Sequence, residues 1–220
     1  MLDTTTFAFL KKLSANNNKA WMDDHRNDYE KARNNFIEFV KEMIIELSVI
    51  DNSLSALNAK DCIFRINRDI RFSKDKRPYK NNFAAYFNKG GKKGPGAGYY
   101  LHAEPGKCFM ACGIWMPEPK ILADIRQEID YNCKEFESIL KGKKFKTNFE
   151  SGLDESDLLS RPPKGYEADN PAVGYLKLKS FIVRKDLTEM DFTKSNSEKD
   201  FAKIFQTAKP LIDFINRSLD

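Results

Sequence analysis

The residues best suited to binding chemistry lie in one stretch, residues 64–80, which reads FRINRDIRFSKDKRPYK. Its guanidinium groups offer planar forks of N–H donors that match two oxygens of a phosphate or a carboxylate. Aromatic rings beside such cations can stack on a base or a sugar. We therefore predict these ligand-binding residues: Arg65, Arg68, Arg71, Ser73, Lys76, Tyr79, Lys80, Tyr99 and Trp115.

Positive charge is concentrated around this stretch. Residues 60–93 contain eleven Lys and Arg and three Asp, a net charge of +8, whereas the whole chain carries +5. A local excess of positive charge raises the electrostatic potential and attracts anions. The alternative interpretation is a structural network of salt bridges, in which Asp69 and Asp75 neutralise the neighbouring arginines.

Three residues are candidates for acid–base catalysis, namely Asp69, Tyr79 and His102. His102 is the most interesting, because an imidazole titrates near neutral pH. In a strand its side chain would share a face with those of Tyr100 and Glu104. The alternative interpretation is an imidazole with a purely structural role.

No motif indicates a cofactor or a metal. The four cysteines form no Cys-x-x-Cys pair and have no cluster of histidines beside them, so we expect no metal site. The glycine-rich loop at 89–98 can approach a phosphate through its backbone N–H groups. It lacks the sequence of a P-loop and of a dinucleotide-binding turn, and a mobile hairpin loop is the other interpretation.

Alternating apolar and polar residues predict that the basic stretch begins as a strand. Between residues 62 and 72 the apolar side chains fall on one face and Arg65, Asn67, Asp69 and Arg71 on the other. Arg68 interrupts the apolar row, which indicates a bulge or the end of the strand. The polar run 73–78, which ends in proline, is typical of a loop.

The elements that must position these residues can be predicted from periodicity. Apolar spacings of three and four predict a long helix over 27–50 and another over 118–132. A second helical segment follows to residue 141, and a last helix lies at the C-terminus. Period-two patterns predict strands at 82–88, 99–103, 107–115 and 181–183, with a hairpin turn at 104–106. Residues 143–149 are ambiguous between strand and irregular structure. We predict an α+β fold, in which a mostly antiparallel sheet of about five strands is packed by N-terminal, middle and C-terminal helices.

The stretch FRINRDIRFSKDKRPYKNNF resembles the signature of the DUF2461 family. Two further segments resemble sequences of the same family. One is YYLH at 99–102 followed by EPG at 104–106, and the other is the Gly-x-Trp-x-Pro run at 113–117. The similarity covers nearly the full chain. One departure is Ala111-Cys112-Gly113, where relatives carry more glycine. The resemblance implies one α+β domain over residues 1–220 and supplies no mechanism.

Composition limits the cellular setting. The chain is 41% hydrophobic and contains 17 phenylalanines, which favours a packed core over disorder. Unpatterned cysteines and the lack of a recognisable signal peptide lead us to expect a cytoplasmic protein. We expect no membrane partner, since no stretch approaches a membrane-spanning length. The sequence does not indicate an oligomeric state.

Three functions remain open, in the order binding module, enzyme and scaffold. The first would bind an anionic small molecule or a nucleic acid through the basic stretch, and the second would turn over an anionic substrate. A concave pocket that brings His102 or Asp69 within hydrogen-bond reach of Arg65 or Arg71 would favour the enzyme, whereas a flat basic face would favour binding. Arginines that are all paired with internal carboxylates would favour the scaffold.

Overall fold

The computed structural model describes residues 1–219, and this part of the chain forms ten α-helices and one four-stranded sheet. The helices are α1 (Thr4–Ala15), α2 (Lys19–Asp24), α3 (Arg26–Ile50), α4 (Ala59–Cys62), α5 (Pro119–Tyr131), α6 (Cys133–Lys141), α7 (Lys143–Asn148), α8 (Val173–Leu176), α9 (Glu189–Thr193) and α10 (Ser197–Arg217). The strands are β1 (Phe83–Phe87), β2 (Gly98–Ala103), β3 (Phe109–Ile114) and β4 (Phe181–Asp186). The predicted α+β class is confirmed.

The sheet is antiparallel throughout and its strands lie in the order β1-β2-β3-β4. The turn at 104–106 joins β2 to β3 as expected, with the Lys107 N–H donating to the Glu104 carbonyl oxygen at 2.9 Å. Gly113 adopts φ +122°, and a Cβ there would lie 1.9 Å from the carbonyl oxygen of Phe181. Glycine at this position is therefore required for β3 and β4 to pair.

The prediction of about five strands was wrong by one, because the basic stretch forms no strand of the sheet. Only single bridges involve it, Ile63 with Ala85 and Asn67 with Tyr79. Further along, the N–H groups of Arg71 and Arg77 donate to the side chains of Asp69 and Asp75. Local capping of this kind competes with ladder pairing and bends the chain.

One face of the sheet carries the core. Side chains on this inner face are buried, and α3 and α10 cover them. The Phe36 ring of α3 stacks on Phe83 of β1, with 5.3 Å between centroids. The Phe205 ring of α10 meets Tyr99 of β2 edge-on at 5.2 Å. The alternating pattern of the strands therefore leaves the opposite, outer face for other contacts.

Most helices match the periodicity of the sequence. The long helix expected over 27–50 is α3, and α5 and α6 occupy the predicted middle segment. Segment 143–149, which we had left between strand and irregular structure, is the helix α7, whose one buried residue is Phe145. The last helix, α10, continues through Pro210. No helix among the described residues is long and apolar enough to cross a membrane.

The glycine-rich loop is fixed to the protein itself. Asn88 Nδ2 donates to the carbonyl oxygens of Gly96 and Ala97, and Asn216 of α10 accepts from the Ala97 N–H at 2.7 Å. A Cβ at Gly94 would lie 1.9 Å from Asn88 Oδ1. The glycines therefore allow close approach of these asparagine side chains, and the structure gives no support to a phosphate-binding role for the loop.

Candidate functional site

Residues 64–80, which we call the basic hairpin, fold back on themselves. The Arg68 N–H donates to the Pro78 carbonyl oxygen at 2.9 Å, and the Lys80 N–H donates to that of Ile66 at 2.8 Å. The loop beyond the rung between Arg68 and Pro78 spans residues 69–77. Buried Ile66 anchors the base of the hairpin, and the bridge between Ile63 and Ala85 joins that base to the free edge of β1.

Asn17 holds the returning limb of the hairpin. Its Nδ2 donates to the Tyr79 carbonyl oxygen at 2.9 Å, and its Oδ1 accepts from the Tyr79 N–H at 3.0 Å. The side-chain amide thus supplies the hydrogen bonds that a neighbouring strand would make. Tyr79 itself is half-buried and packs against the core. The turn between α1 and α2 therefore sets the position of the basic hairpin.

Three of the arginines are engaged by carboxylates of the same hairpin. Asp75 lies 2.7 Å from both Arg68 and Arg77, and Asp69 lies 2.6 Å from Arg71. These contacts lower the pKa of both carboxyl groups, chiefly through the hydrogen bonds from Arg77 and Arg71 respectively. The loop is thereby stabilised by its own charges, which is the outcome that the scaffold hypothesis predicts for Arg68, Arg71 and Arg77.

Arg65 and Lys80, at the base, are different. Within residues 1–219 neither side chain forms a salt bridge or a hydrogen bond, although every other arginine of the hairpin does. The Lys80 ammonium is half-buried and lies 5.4 Å from the centre of the Phe64 ring. Burial lowers the pKa of Lys80, and repulsion by the Arg65 guanidinium lowers it further. Two neighbouring cations thus lie side by side without an ion pair of their own, although the carboxylate of Asp69, which is paired with Arg71, acts on Arg65 at longer range.

Beside these cations, the outer face of β2 carries a chain of hydrogen bonds. Tyr100 Oη lies 3.0 Å from His102 Nδ1, and His102 Nε2 lies 2.9 Å from Glu104 Oε2. An ionised carboxylate only accepts, so Nε2 carries the ring proton and Nδ1 accepts from the tyrosine hydroxyl. Burial lowers the pKa of His102 against the opposing effect of Glu104. Burial, with Glu104 adding to it, raises the pKa of Tyr100 to about 12.

Aromatic stacking joins this chain to a further cation. The His102 ring stacks on Phe109 of β3 at 4.6 Å, and the Arg184 guanidinium of β4 lies over the same Phe109 ring at 3.9 Å. On the other side, Phe64 of the basic hairpin meets Tyr100 edge-on at 6.1 Å. The outer face is thus flanked by Arg184 at one end and by Lys80 with Arg65 at the other.

The remaining candidate residues lie in different environments. Ser73 Oγ accepts from Arg68 at 3.4 Å, and Lys76 Nζ donates to the Ile70 carbonyl oxygen at 3.1 Å. Asp69 is in the exposed pair with Arg71 and does not approach His102 through any hydrogen bond. Trp115 is 75% exposed after β3. Tyr99, by contrast, is fully buried on the inner face, so its ring cannot stack on a ligand as we had expected.

Some contributors were absent from our candidates. Tyr100 and Glu104 could have been included, because the period-two spacing already placed them beside His102. The contact of Arg184 with Phe109 depends on the pairing of β3 with β4, which the sequence does not reveal. Asn17 gave no signal in the sequence, since asparagines near helix ends usually serve as caps.

Two recesses of the described part of the chain lie away from the site. A recess of about 470 Å³ lies at α6 and another of about 250 Å³ lies on α3, and neither is lined by a residue of the basic hairpin. Within residues 1–219, no three His, Cys, Asp or Glu side chains are grouped so that they would hold a metal ion.

The fold and the site define an α+β protein whose four-stranded antiparallel sheet carries a basic hairpin at its β1 edge. The chain belongs to the DUF2461 family, because the model of that family, described as a conserved hypothetical protein, matches residues 5–214. This match confirms the resemblance seen in the sequence. Comparison of the chain with curated proteins and with solved structures gave no match.

Proposed function

We propose that the protein binds a phosphate-bearing or other anionic ligand at the base of the basic hairpin, with Arg65 and Lys80 as the direct contacts. The observation that carries the proposal is the pair of cations without an acidic partner within residues 1–219, one of them half-buried. Partial burial of a charge without a counter-charge costs free energy. A bound anion would remove that cost and the repulsion between the two cations.

The surroundings support an anion and argue against a cation. Arg184 and the neutral His102 lie on the adjoining outer face, and Glu104 is occupied by His102. The carboxylates of Asp69 and Asp75 are held by arginines of the loop. Arg184 is itself paired with Asp186 at 2.8 Å, so the cations that remain for a ligand are Arg65 and Lys80. Arg65 is exposed at this surface, and an open basic face favours binding over catalysis.

The experiment is a thermal-shift and calorimetric titration with sodium sulfate, inorganic phosphate, nucleotides and sugar phosphates. A ligand that binds the native state raises the apparent stability by mass action. We expect Lys80→Met and Arg65→Ala each to weaken binding about tenfold or more, since a hydrogen bond to a charged group contributes roughly 1.5–3 kcal/mol. Arg71→Ala should have a smaller effect, because Asp69 already holds that guanidinium.

The matched control is Lys164→Met, which removes an exposed lysine of the 161–166 loop. It should leave both the affinity and the stability unchanged. Lys80→Met should keep or raise the stability of the ligand-free protein, since it removes a half-buried charge. Equal affinity in Lys80→Met, Arg65→Ala and the wild type would contradict the proposed site.

A second candidate function rests on the chain Tyr100–His102–Glu104. Glu104 accepts from His102 Nε2 and so fixes the tautomer of the imidazole, while the Tyr100 hydroxyl donates to Nδ1. An anion held by Lys80 would lie beside this chain, which is the arrangement of an acid–base enzyme that acts on an anionic substrate. The test is turnover of p-nitrophenyl phosphate. If this candidate function is correct, the wild type turns over the substrate, and His102→Gln loses the turnover but still binds sulfate.

A further inference from the structure

Phe72 is the most exposed large apolar side chain of the described part of the protein, with 95% of its surface open to solvent. It lies in the 69–77 loop of the basic hairpin. The period-two pattern had placed it on the apolar face with Phe64 and Ile66, but the turn of the loop directs it outward. Solitary exposed apolar residues are common, so exposure alone carries no inference.

What distinguishes Phe72 is the construction of the loop that carries it. The Ser73 N–H donates to the Ile70 carbonyl oxygen at 3.3 Å, and Lys76 Nζ donates to the same oxygen at 3.1 Å. Arg68 links Asp75, Ser73 and the carbonyl oxygen of Arg77 across the loop. Because these contacts hold the backbone on both sides of Phe72, less backbone entropy is lost when the ring binds a ligand than for a free loop.

Cations surround the exposed ring. Arg71 lies 5.9 Å from the centre of the Phe72 ring, and Lys74 is exposed two residues further on. Within residues 71–80 there are five Lys or Arg and one Asp. Arg77 and Lys80 are three positions apart, so the cations at the end of the loop and at the base of the hairpin are separated by roughly 10 Å of extended chain.

We propose that the basic hairpin binds single-stranded nucleic acid, with a base stacked on Phe72 and the phosphates of the same strand on Lys74, Arg65 and Lys80. The inference rests on the proposed anion-binding function and names its ligand class. One open aromatic ring beside a track of cations is the elementary unit of single-strand recognition. Paired bases in a duplex do not offer a free face, so the site favours single strands.

A lipid surface is the other partner that a basic loop with an exposed phenylalanine can bind. Membrane insertion depends on the apolar area buried, and Phe72 has no second exposed apolar residue beside it in the loop. Nucleic acid needs only one ring for each stacked base, so it fits the loop better.

The test is fluorescence anisotropy with fluorescein-labelled oligothymidylate of about 12 nucleotides, a length within the range that single-strand sites cover. We expect Phe72→Ala to weaken binding about tenfold, since stacking on an aromatic ring is worth that much or more. Phe72→Trp should keep the affinity, and its added fluorescence should be quenched on binding. Lys74→Met should weaken binding and lower the dependence of affinity on salt by about one phosphate contact.

Three results would overturn the inference. They are no binding of the oligonucleotide by the wild type, equal binding by Phe72→Ala, and equally tight binding of a duplex of the same length. Binding to phosphatidylserine vesicles that depends on Phe72, without binding to oligothymidylate, would replace nucleic acid with a lipid surface. Sulfate titration separates the two proposals, since loss of sulfate binding in Lys80→Met supports the anion site whatever Phe72→Ala does.

Discussion

At the scale of single residues, the partner of each charged side chain decides what that side chain can do. Arg68, Arg71 and Arg77 are held by carboxylates and shape the loop, whereas Lys80 and Arg65 have no such partner within residues 1–219. His102 has a partner on each ring nitrogen. Identical residue types in one motif therefore divide into those that build the hairpin and those that remain for a ligand.

His102 predicts a dependence of stability on pH. Burial lowers its folded-state pKa despite Glu104, and Arg184 and Lys80 oppose the protonated form as well. A depressed pKa contributes stability that is fully present above the unfolded value, about 6.5, and is lost as the pH falls through the folded-state pKa. We expect the free energy of unfolding to decrease between about pH 7 and pH 5.

The measurement for His102 is urea unfolding of the wild type and of His102→Gln at both pH values. The variant should lose less stability on acidification, because glutamine does not titrate. An identical decrease in both proteins would show that other groups cause it. Glu104→Gln provides the second variant, and it should steepen the decrease by removing the carboxylate that supports protonation of His102.

The residues of the site were only partly predictable. Alternation placed Tyr100, His102 and Glu104 on one face of β2, since strand side chains alternate strictly. The same rule failed for Phe72, because the N–H groups of Arg71 and Arg77 bond to Asp69 and Asp75 and turn the chain. These turns decide which arginines have a carboxylate partner. Composition alone does not reveal the turns.

At the scale of elements, the basic hairpin is a small unit attached to the edge of the sheet. Two backbone rungs, the Asn17 amide and the bridge to β1 hold its base, while ion pairs hold its loop. Exposed ion pairs contribute little to global stability. The loop can therefore loosen while the sheet and the helices remain folded.

This separation predicts a local effect for Asp75→Asn. The change removes the carboxylate shared by Arg68 and Arg77, so the loop should open more often. Amide hydrogen exchange of Arg68 and Lys80 should accelerate, while the global free energy of unfolding changes by less than about 1 kcal/mol. Asp157→Asn, which breaks the ion pair with Lys179 outside the hairpin, is the control and should leave these amides unchanged.

Elements with regular burial were predictable, and short ones were not. The three-to-four spacing over α3 gave its limits to within one residue of Arg26. In α7 only Phe145 is buried, so the sequence of this helix shows no apolar periodicity. The packing of α7 on α6 and α10 decides its conformation. The strand predicted within the motif failed for the opposite reason, since a clear alternation was overridden by local side-chain hydrogen bonds.

At the scale of the whole molecule, α3 and α10 bury the inner face of the sheet and leave the outer face to the site. The core is rich in phenylalanine, and rings of distant segments meet there, as Phe205 meets Tyr99. The class of fold followed from composition and periodicity. The order of the strands and the pairing of β4 with β3 did not, because such contacts join segments far apart in the sequence.

The core predicts a large effect for Phe205→Ala. The ring is fully buried, so its removal should lower the free energy of unfolding by about 3–5 kcal/mol through lost burial and a cavity. Chemical denaturation measures this decrease in the free energy of unfolding. Phe72→Ala is the matched control, and it should change stability by no more than about 0.5 kcal/mol because the ring is exposed. A similar loss in both variants would contradict the assignment of the core.

The last turn of α10 contacts three separate parts of the protein. Asn216 accepts a hydrogen bond from the glycine-rich loop, and Arg217 donates to Glu128 of α5 and to Glu135 of α6. Synthesis on the ribosome proceeds from the N-terminus, so every strand leaves the exit tunnel before this helix does. The nascent chain thus exposes part of an apolar sheet face until α10 has been made. We expect it to be a client of chaperones during translation and to gain its native packing only when residues 197–217 have emerged.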